Sequence, residues 1–213
     1  MNWSLYLNFV AAMLAIVNPV GVIPLWTELT YGETRKVRSE VALMLVGSST
    51  IILLIFLLFG RHILGFFSID LDVFRIAGGI LLLSTGISMV YGDSAKLHKR
   101  KEQLGETPLE IAKNRFKDIM VPMAIPILSG PGSITTVVLF NSKAEMFEYL
   151  GLSVVLIIVM LTLYFFLLAS RYLERKVDMI VFNGITRLLG IIVVAIAVQF
   201  VVGGLKEVFP GWG

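Results

Sequence analysis

The sequence predicts an all-α membrane protein: six transmembrane helices arranged as two inverted three-helix repeats, with spans one and four broken at Gly/Pro motifs. Three observations carry that expectation. First, 57% of the 213 residues are hydrophobic and only 15% are charged, against roughly 25% charged in soluble domains, and the mean hydropathy is +0.87. Second, Asn18-Pro19-Val20-Gly21-Val22-Ile23-Pro24 and Ile125-Pro126-Ile127-Leu128-Ser129-Gly130-Pro131-Gly132-Ser133 each interrupt a long apolar stretch. Third, Pro19 and Pro131 lie 112 residues apart. That offset also carries Arg75-Ile76-Ala77-Gly78 onto Arg187-Leu188-Leu189-Gly190, Ala12 onto Ala124, Thr50 onto Thr162, Ile80 onto Ile192 and Gly92 onto Gly204, without a gap. The repeats are read as 1–100 and 113–213, joined by a linker at 101–112.

Six segments reach the roughly 20 apolar residues that a helical span needs. They are 5–26, 41–60, 73–91, 119–140, 149–170 and 182–205. The first has no basic residue ahead of it, so it reads as a retained span and not as a signal peptide. Lysine and arginine set the orientation. Arg35, Lys36 and Arg38 follow span one, Lys96, Lys99, Arg100, Lys101, Lys113, Arg115 and Lys117 follow span three, and Arg171, Arg175 and Lys176 follow span five. The opposite loops hold only Arg61, Lys143 and Lys206. The positive-inside rule places the basic loops in the cytoplasm and both termini outside. Trp3 and Trp212 then mark the outer interface, and Trp26, Tyr91 and Tyr172 the inner one, as an aromatic belt. With three spans per repeat, the second copy enters the membrane from the opposite side.

The loop at 92–118 is the one long polar stretch. Thr107-Pro108-Leu109-Glu110 fits a capping box with proline at the first helical position. Leu109, Ala112 and Phe116 then share a face, as in a short interfacial helix. A plain polar linker fits equally well.

The breaks hold the candidate chemistry. Proline removes a helical N–H and crowds the preceding turn. In lipid, unpaired backbone groups are tolerated only where they are buried in protein or line a cavity. The half-helix after each break begins with free N–H groups and a partial positive charge, which suits a carboxylate. The half before it ends in free carbonyls, which suit an ammonium or a cation. Two facing breaks would therefore hold both ends of a zwitterion. The candidate substrate-binding residues are Asn18, Pro19 and Gly21 from span one, with Ser129, Gly130, Pro131, Gly132, Ser133, Thr135 and Thr136 from span four. The competing reading is a pair of packing kinks, since Gly and Pro are frequent in membrane helices. Paired, interrupted helices in inverted repeats point to a secondary transporter with a midplane site.

Other residues carry lesser expectations. Arg75 and Arg187 lie inside spans three and six, where charge is costly. They read as gates that pair with Asp72 and Asp178, or as snorkelling interfacial charges. Gly78, Gly79 and Gly190 suit close helix packing. Gly47-Ser48-Ser49-Thr50 is similar, with Thr50 and Thr162 as polar glue. No Asp, Glu or His lies mid-span, so no proton relay is evident. Coupling to a sodium or proton gradient through backbone carbonyls would leave no ionisable signature. There is no cysteine, and His62 and His98 lie in different loops. The sequence thus offers no metal site, no cofactor site and no nucleophile–base set for an enzyme. The net charge of +3 is explained by topology and implies no nucleic acid.

At Asn18-Pro19-Val20-Gly21-Val22-Ile23-Pro24 and at Pro122-Met123-Ala124-Ile125-Pro126-Ile127-Leu128-Ser129-Gly130-Pro131-Gly132, the chain resembles the MarC family of prokaryotic inner-membrane proteins. The resemblance extends to length, six spans and the long third loop. Members described as SnatA transport small neutral amino acids, glycine and alanine. The resemblance implies that the break residues bind such a substrate by alternating access in the inner membrane. A passive channel or cation-binding protein for another small or drug-like solute is the rival expectation, and oligomeric state has no signature.

Overall fold

The computed structural model describes residues 3–91, 128–142, 144, 148–176 and 179–209. These form seven helices, and no strand occurs among the described residues. They are α1 (Trp3–Val17), α2 (Val22–Leu29), α3 (Arg35–Phe66), α4 (Leu71–Tyr91), α5 (Pro131–Ser142), α6 (Glu148–Lys176) and α7 (Met179–Val208). Four of them, α3, α4, α6 and α7, contain stretches long and apolar enough to cross a membrane. Expected span one is divided between α1 and α2. Of expected span four, residues 119–127 lie outside the described residues, as do the linker helix and its capping box.

Local chemistry sets the ends of α3. The Thr34 hydroxyl accepts the Val37 N–H at 3.3 Å, an N-cap. At the other end Ser68 adopts a left-handed φ of +55°, and the Ile69 N–H returns to the Leu64 carbonyl at 2.9 Å. That six-to-one closure satisfies an orphan carbonyl. The 32 residues between reach about 48 Å at 1.5 Å per residue. The helix therefore outruns the expected 41–60 and extends beyond a hydrocarbon core of about 30 Å.

Three helix pairs organise the packing. The most extensive is α4 with α7. A Cβ on Gly86 would meet Val194 and the Gly190 carbonyl, and one on Gly79 would meet Val201, Ala197 and Phe200. Near the other end Gly204 lies against Ile76 and the Asp72 carbonyl. Small residues thus let the two backbones approach. The second pair is α3 with α6. The third is α1 with α5, which lies between the other two. One apolar cluster joins α1 and α5 to α3 and α6 through residues such as Phe9, Leu53, Val138 and Leu156. A second joins them to α4 and α7 through Ile16, Leu82, Leu139 and Ala197. The outward faces of α3, α4, α6 and α7 expose large apolar side chains. The two short helices at the centre carry the interrupted motifs.

Candidate functional site

The end of α1 follows from Asn18 and Pro19. Asn18 takes a left-handed φ of +44°, which asparagine tolerates better than most residues. Its Oδ1 accepts the Gly21 N–H at 2.9 Å. Pro19 has no N–H to return to the Ala15 carbonyl, and the N–H of Gly21 is taken by Asn18 rather than by Val17. The last carbonyls of α1 are thus deprived of helical donors, in a segment where Ala15, Ile16 and Val17 are all buried. The chain then resumes as α2, with the Val22 N–H on the Asn18 carbonyl at 3.2 Å. Gly21 is required by crowding: a Cβ there would collide with the Asn18 amide and lie 2.8 Å from Thr186 Oγ1 on α7.

The start of α5 has the opposite polarity. Pro131 occupies the first helical position, which its fixed φ suits, and the Gly130 carbonyl accepts the Ile134 N–H at 3.0 Å. The N–H groups of Gly132 and Ser133 have no intrahelical acceptor and carry the positive end of the helix dipole. Ser129, Gly130, Gly132, Ser133, Thr135 and Thr136 are all buried, whereas Pro131 is exposed. The Ser133 hydroxyl is buried without a hydrogen-bond partner. Leaving such a group unpaired costs about 1–3 kcal/mol. Gly132 packs on Leu82, and Gly78 packs on Thr135.

α1 and α5 are neighbours: the rings of Phe9 and Phe140 meet at 5.2 Å between centroids, and the carbonyl end of α1 and the amide end of α5 both lie among buried residues.

Arg75 lies elsewhere, in a cleft of about 50 Å³ lined by Leu71, Asp72, Leu139, Phe140, Ser142 and Phe200. It is half-buried and its Nε has no hydrogen-bond partner. Arg187, its repeat counterpart, is exposed.

The MarC family model, described as that of an integral membrane protein family, matches residues 3–209. The chain belongs to the MarC family. It is 33% identical over 211 residues to the UPF0056 membrane protein YhcE of Escherichia coli K12, covering 99% of this chain and 96% of that one. It is 35% identical over 211 residues to the UPF0056 membrane protein MJ0972 of Methanocaldococcus jannaschii, covering 98% and 89%. A second protein of that archaeon, MJ1677, is 35% identical over 209 residues, covering 97% and 98%. No solved structure matches the chain.

Within this MarC-family chain several expectations need correction. Thr50 and Thr162 are not glue between helices: their hydroxyls donate to Val46 and Ile158 of their own helices at 2.7 and 2.9 Å. Thr136 also donates to the Gly132 carbonyl of its own helix at 2.8 Å, which leaves its oxygen as an acceptor. Trp3, Tyr91 and Tyr172 are exposed as a belt requires, but Trp26 is fully buried. Arg38 lies over its ring, 5.8 Å from the centroid, and donates to the buried Ser170 Oγ at 2.6 Å. Arg38, counted above only as a topogenic charge, is thus an interior residue. Arg75 and Asp72 share a cleft, yet no ion pair joins them among the described residues, and Asp178 lies outside those residues.

Sequence reasoning also passed over three polar groups. Thr186 stands beside Gly21. Ser49 is fully buried with an unpartnered hydroxyl, and Asn141 is buried with its Oδ1 unpartnered. Asn141 sits eight residues after Ser133, on the same helical face, a spacing that marks it as part of the same polar stripe.

Proposed function

We propose that this MarC-family protein is a secondary transporter for small neutral amino acids such as glycine and alanine, and not an enzyme. It would have six spans in two inverted repeats, with both termini outside a prokaryotic inner membrane. The substrate binds between the breaks: its carboxylate meets the Gly132 and Ser133 amides and the Ser133 hydroxyl, and its ammonium meets the carbonyls that end α1. Ser129 and the Asn18 amide orient it, and rocking of the bundle alternates access.

The observation that carries this reading is the buried, unpartnered Ser133 hydroxyl at the amide end of α5, on a helix that packs against α1. The repeat reading has its own support. The 112-residue shift carries α3 onto 147–178, where α6 is Glu148–Lys176, and carries the end of α2 at Leu29 onto 141, where α5 ends at Ser142. Coupling to a sodium or proton gradient is open to a carbonyl-lined site of this kind.

Ser133→Ala tests it. Removing a buried hydroxyl that has no partner should leave thermal stability unchanged or slightly raised. Glycine exchange in proteoliposomes should fall at least about tenfold, the worth of one charge-assisted hydrogen bond. Unchanged exchange in correctly inserted protein would remove Ser133 from the site. A larger residue at Gly132 is a poorer test, because that position already touches Leu82.

A further inference from the structure

We infer that the cleft around Arg75 and Asp72 is a second subsite, which takes both charged ends of a small zwitterion on the side of the membrane opposite the basic loops. This rests on the transport reading above for its substrate class, but its geometry is independent of the breaks. The cleft lies where α4, α5 and α7 meet, with Phe140 and Phe200 as apolar walls. Ser142 lines it nine residues after Ser133, about 13 Å away along α5. It is therefore a separate place from the break.

The chain makes room for the guanidinium. The Arg75 head group lies directly against Gly203 of α7, where an added Cβ would make the flexible end of the arginine shift. The buried Nε of Arg75 has no acceptor. A guanidinium has five donors and no acceptor, and its planar fork matches a carboxylate. Asp72 precedes Arg75 by three residues, lines the same cleft and does not neutralise it among the described residues. One cation and one anion are held apart in a single concavity. An α-amino acid presents the complementary pair, carboxylate to Arg75 and ammonium to Asp72. Size narrows the class: a cleft of about 50 Å³ admits only a small ligand. A free carboxylate such as acetate would fill half of the subsite.

The inequivalence of the two arginines fits this assignment. Counting back 112 residues, the position matching Gly203 is Tyr91. The repeat partner of Arg75 thus lacks the glycine on which the Arg75 head group rests, and Arg187 is exposed.

The test is binding to the full-length protein in detergent, read by calorimetry with glycine, alanine and acetate as probes. Wild type should bind glycine and alanine. Arg75→Gln should weaken both glycine and acetate about tenfold or more. Asp72→Asn should weaken glycine while sparing acetate, and Arg75→Lys should recover part of the loss. Equal affinities in wild type and Arg75→Gln, with unchanged thermal melts, would overturn the subsite. So would wild type that binds none of the three probes. Binding that follows the expected pattern, without exchange in proteoliposomes, would instead refute transport and leave the subsite standing.

Discussion

Gly78→Ala offers a direct reading of how tightly α4 grips the central helix. The new Cβ would overlap Oγ1, Cγ2 and Cβ of Thr135. Rotating Thr135 about χ1 moves the first two atoms but not the third, so the clash needs backbone movement. Overpacking of this kind costs about 1–3 kcal/mol, and alanine returns up to about 1 kcal/mol of helix propensity. The expected net loss is about 1–2 kcal/mol. Gly47→Ala is the control, because nothing lies within 4 Å of its added Cβ; it should be neutral or gain up to about 1 kcal/mol. Thr135→Ala alone should cost about 1 kcal/mol through the small cavity it leaves. The double variant Gly78→Ala/Thr135→Ala loses the Oγ1 and Cγ2 overlaps but keeps Cβ against Cβ, so it should be more stable than the sum of the single changes by about 1 kcal/mol while staying below the wild type. The assay is reversible denaturation in mixed micelles, followed by tryptophan fluorescence. Additivity within about 0.5 kcal/mol, or a Gly78→Ala variant as benign as Gly47→Ala, would refute the contact.

Two further substitutions test other contacts. Asn18→Ala removes the acceptor of the Gly21 N–H and places an ordinary residue at positive φ, so it should cost about 2 kcal/mol; Asn18→Gly should cost less, and denaturation midpoints will rank them. Ser170→Ala removes a buried acceptor of Arg38 and should cost about 1.5–3 kcal/mol. Arg38→Met, which keeps the aliphatic stem over Trp26, should be milder than Arg38→Ala, with the Trp26 emission shift as a second readout.

The helical membrane class was legible because lipid demands it: an apolar run of about 20 residues has few other uses. The end of α1 was legible because Asn-Pro-x-Gly cannot continue a helix without lost hydrogen bonds. The length of α3 was not, since its ends run through interfacial polar residues that hydropathy discards. Trp26 was misplaced because position along a span says nothing about which face meets lipid. The stacked Arg38 and the hydrogen-bonded Ser170, 132 residues from Arg38 in sequence, decide that. Thr50 and Thr162 were over-read because a helical threonine has its own i−4 carbonyl within reach. The repeat register matched Arg75 with Arg187, but it fixes residue types and not neighbours, and the glycine beside Arg75 has a tyrosine in its counterpart position. Ser133, by contrast, was picked out by its place just after Pro131-Gly132, and it is buried without a partner.

The most direct test of the central claim is counterflow. Proteoliposomes are preloaded with unlabelled glycine and given labelled glycine outside, with no ion gradient, then with imposed sodium and proton gradients. The account predicts transient accumulation of label above equilibrium in at least one of these conditions, as a carrier that exposes its substrate to one side at a time requires. Folded, inserted protein that only equilibrates the label, or admits none under any gradient, would contradict it.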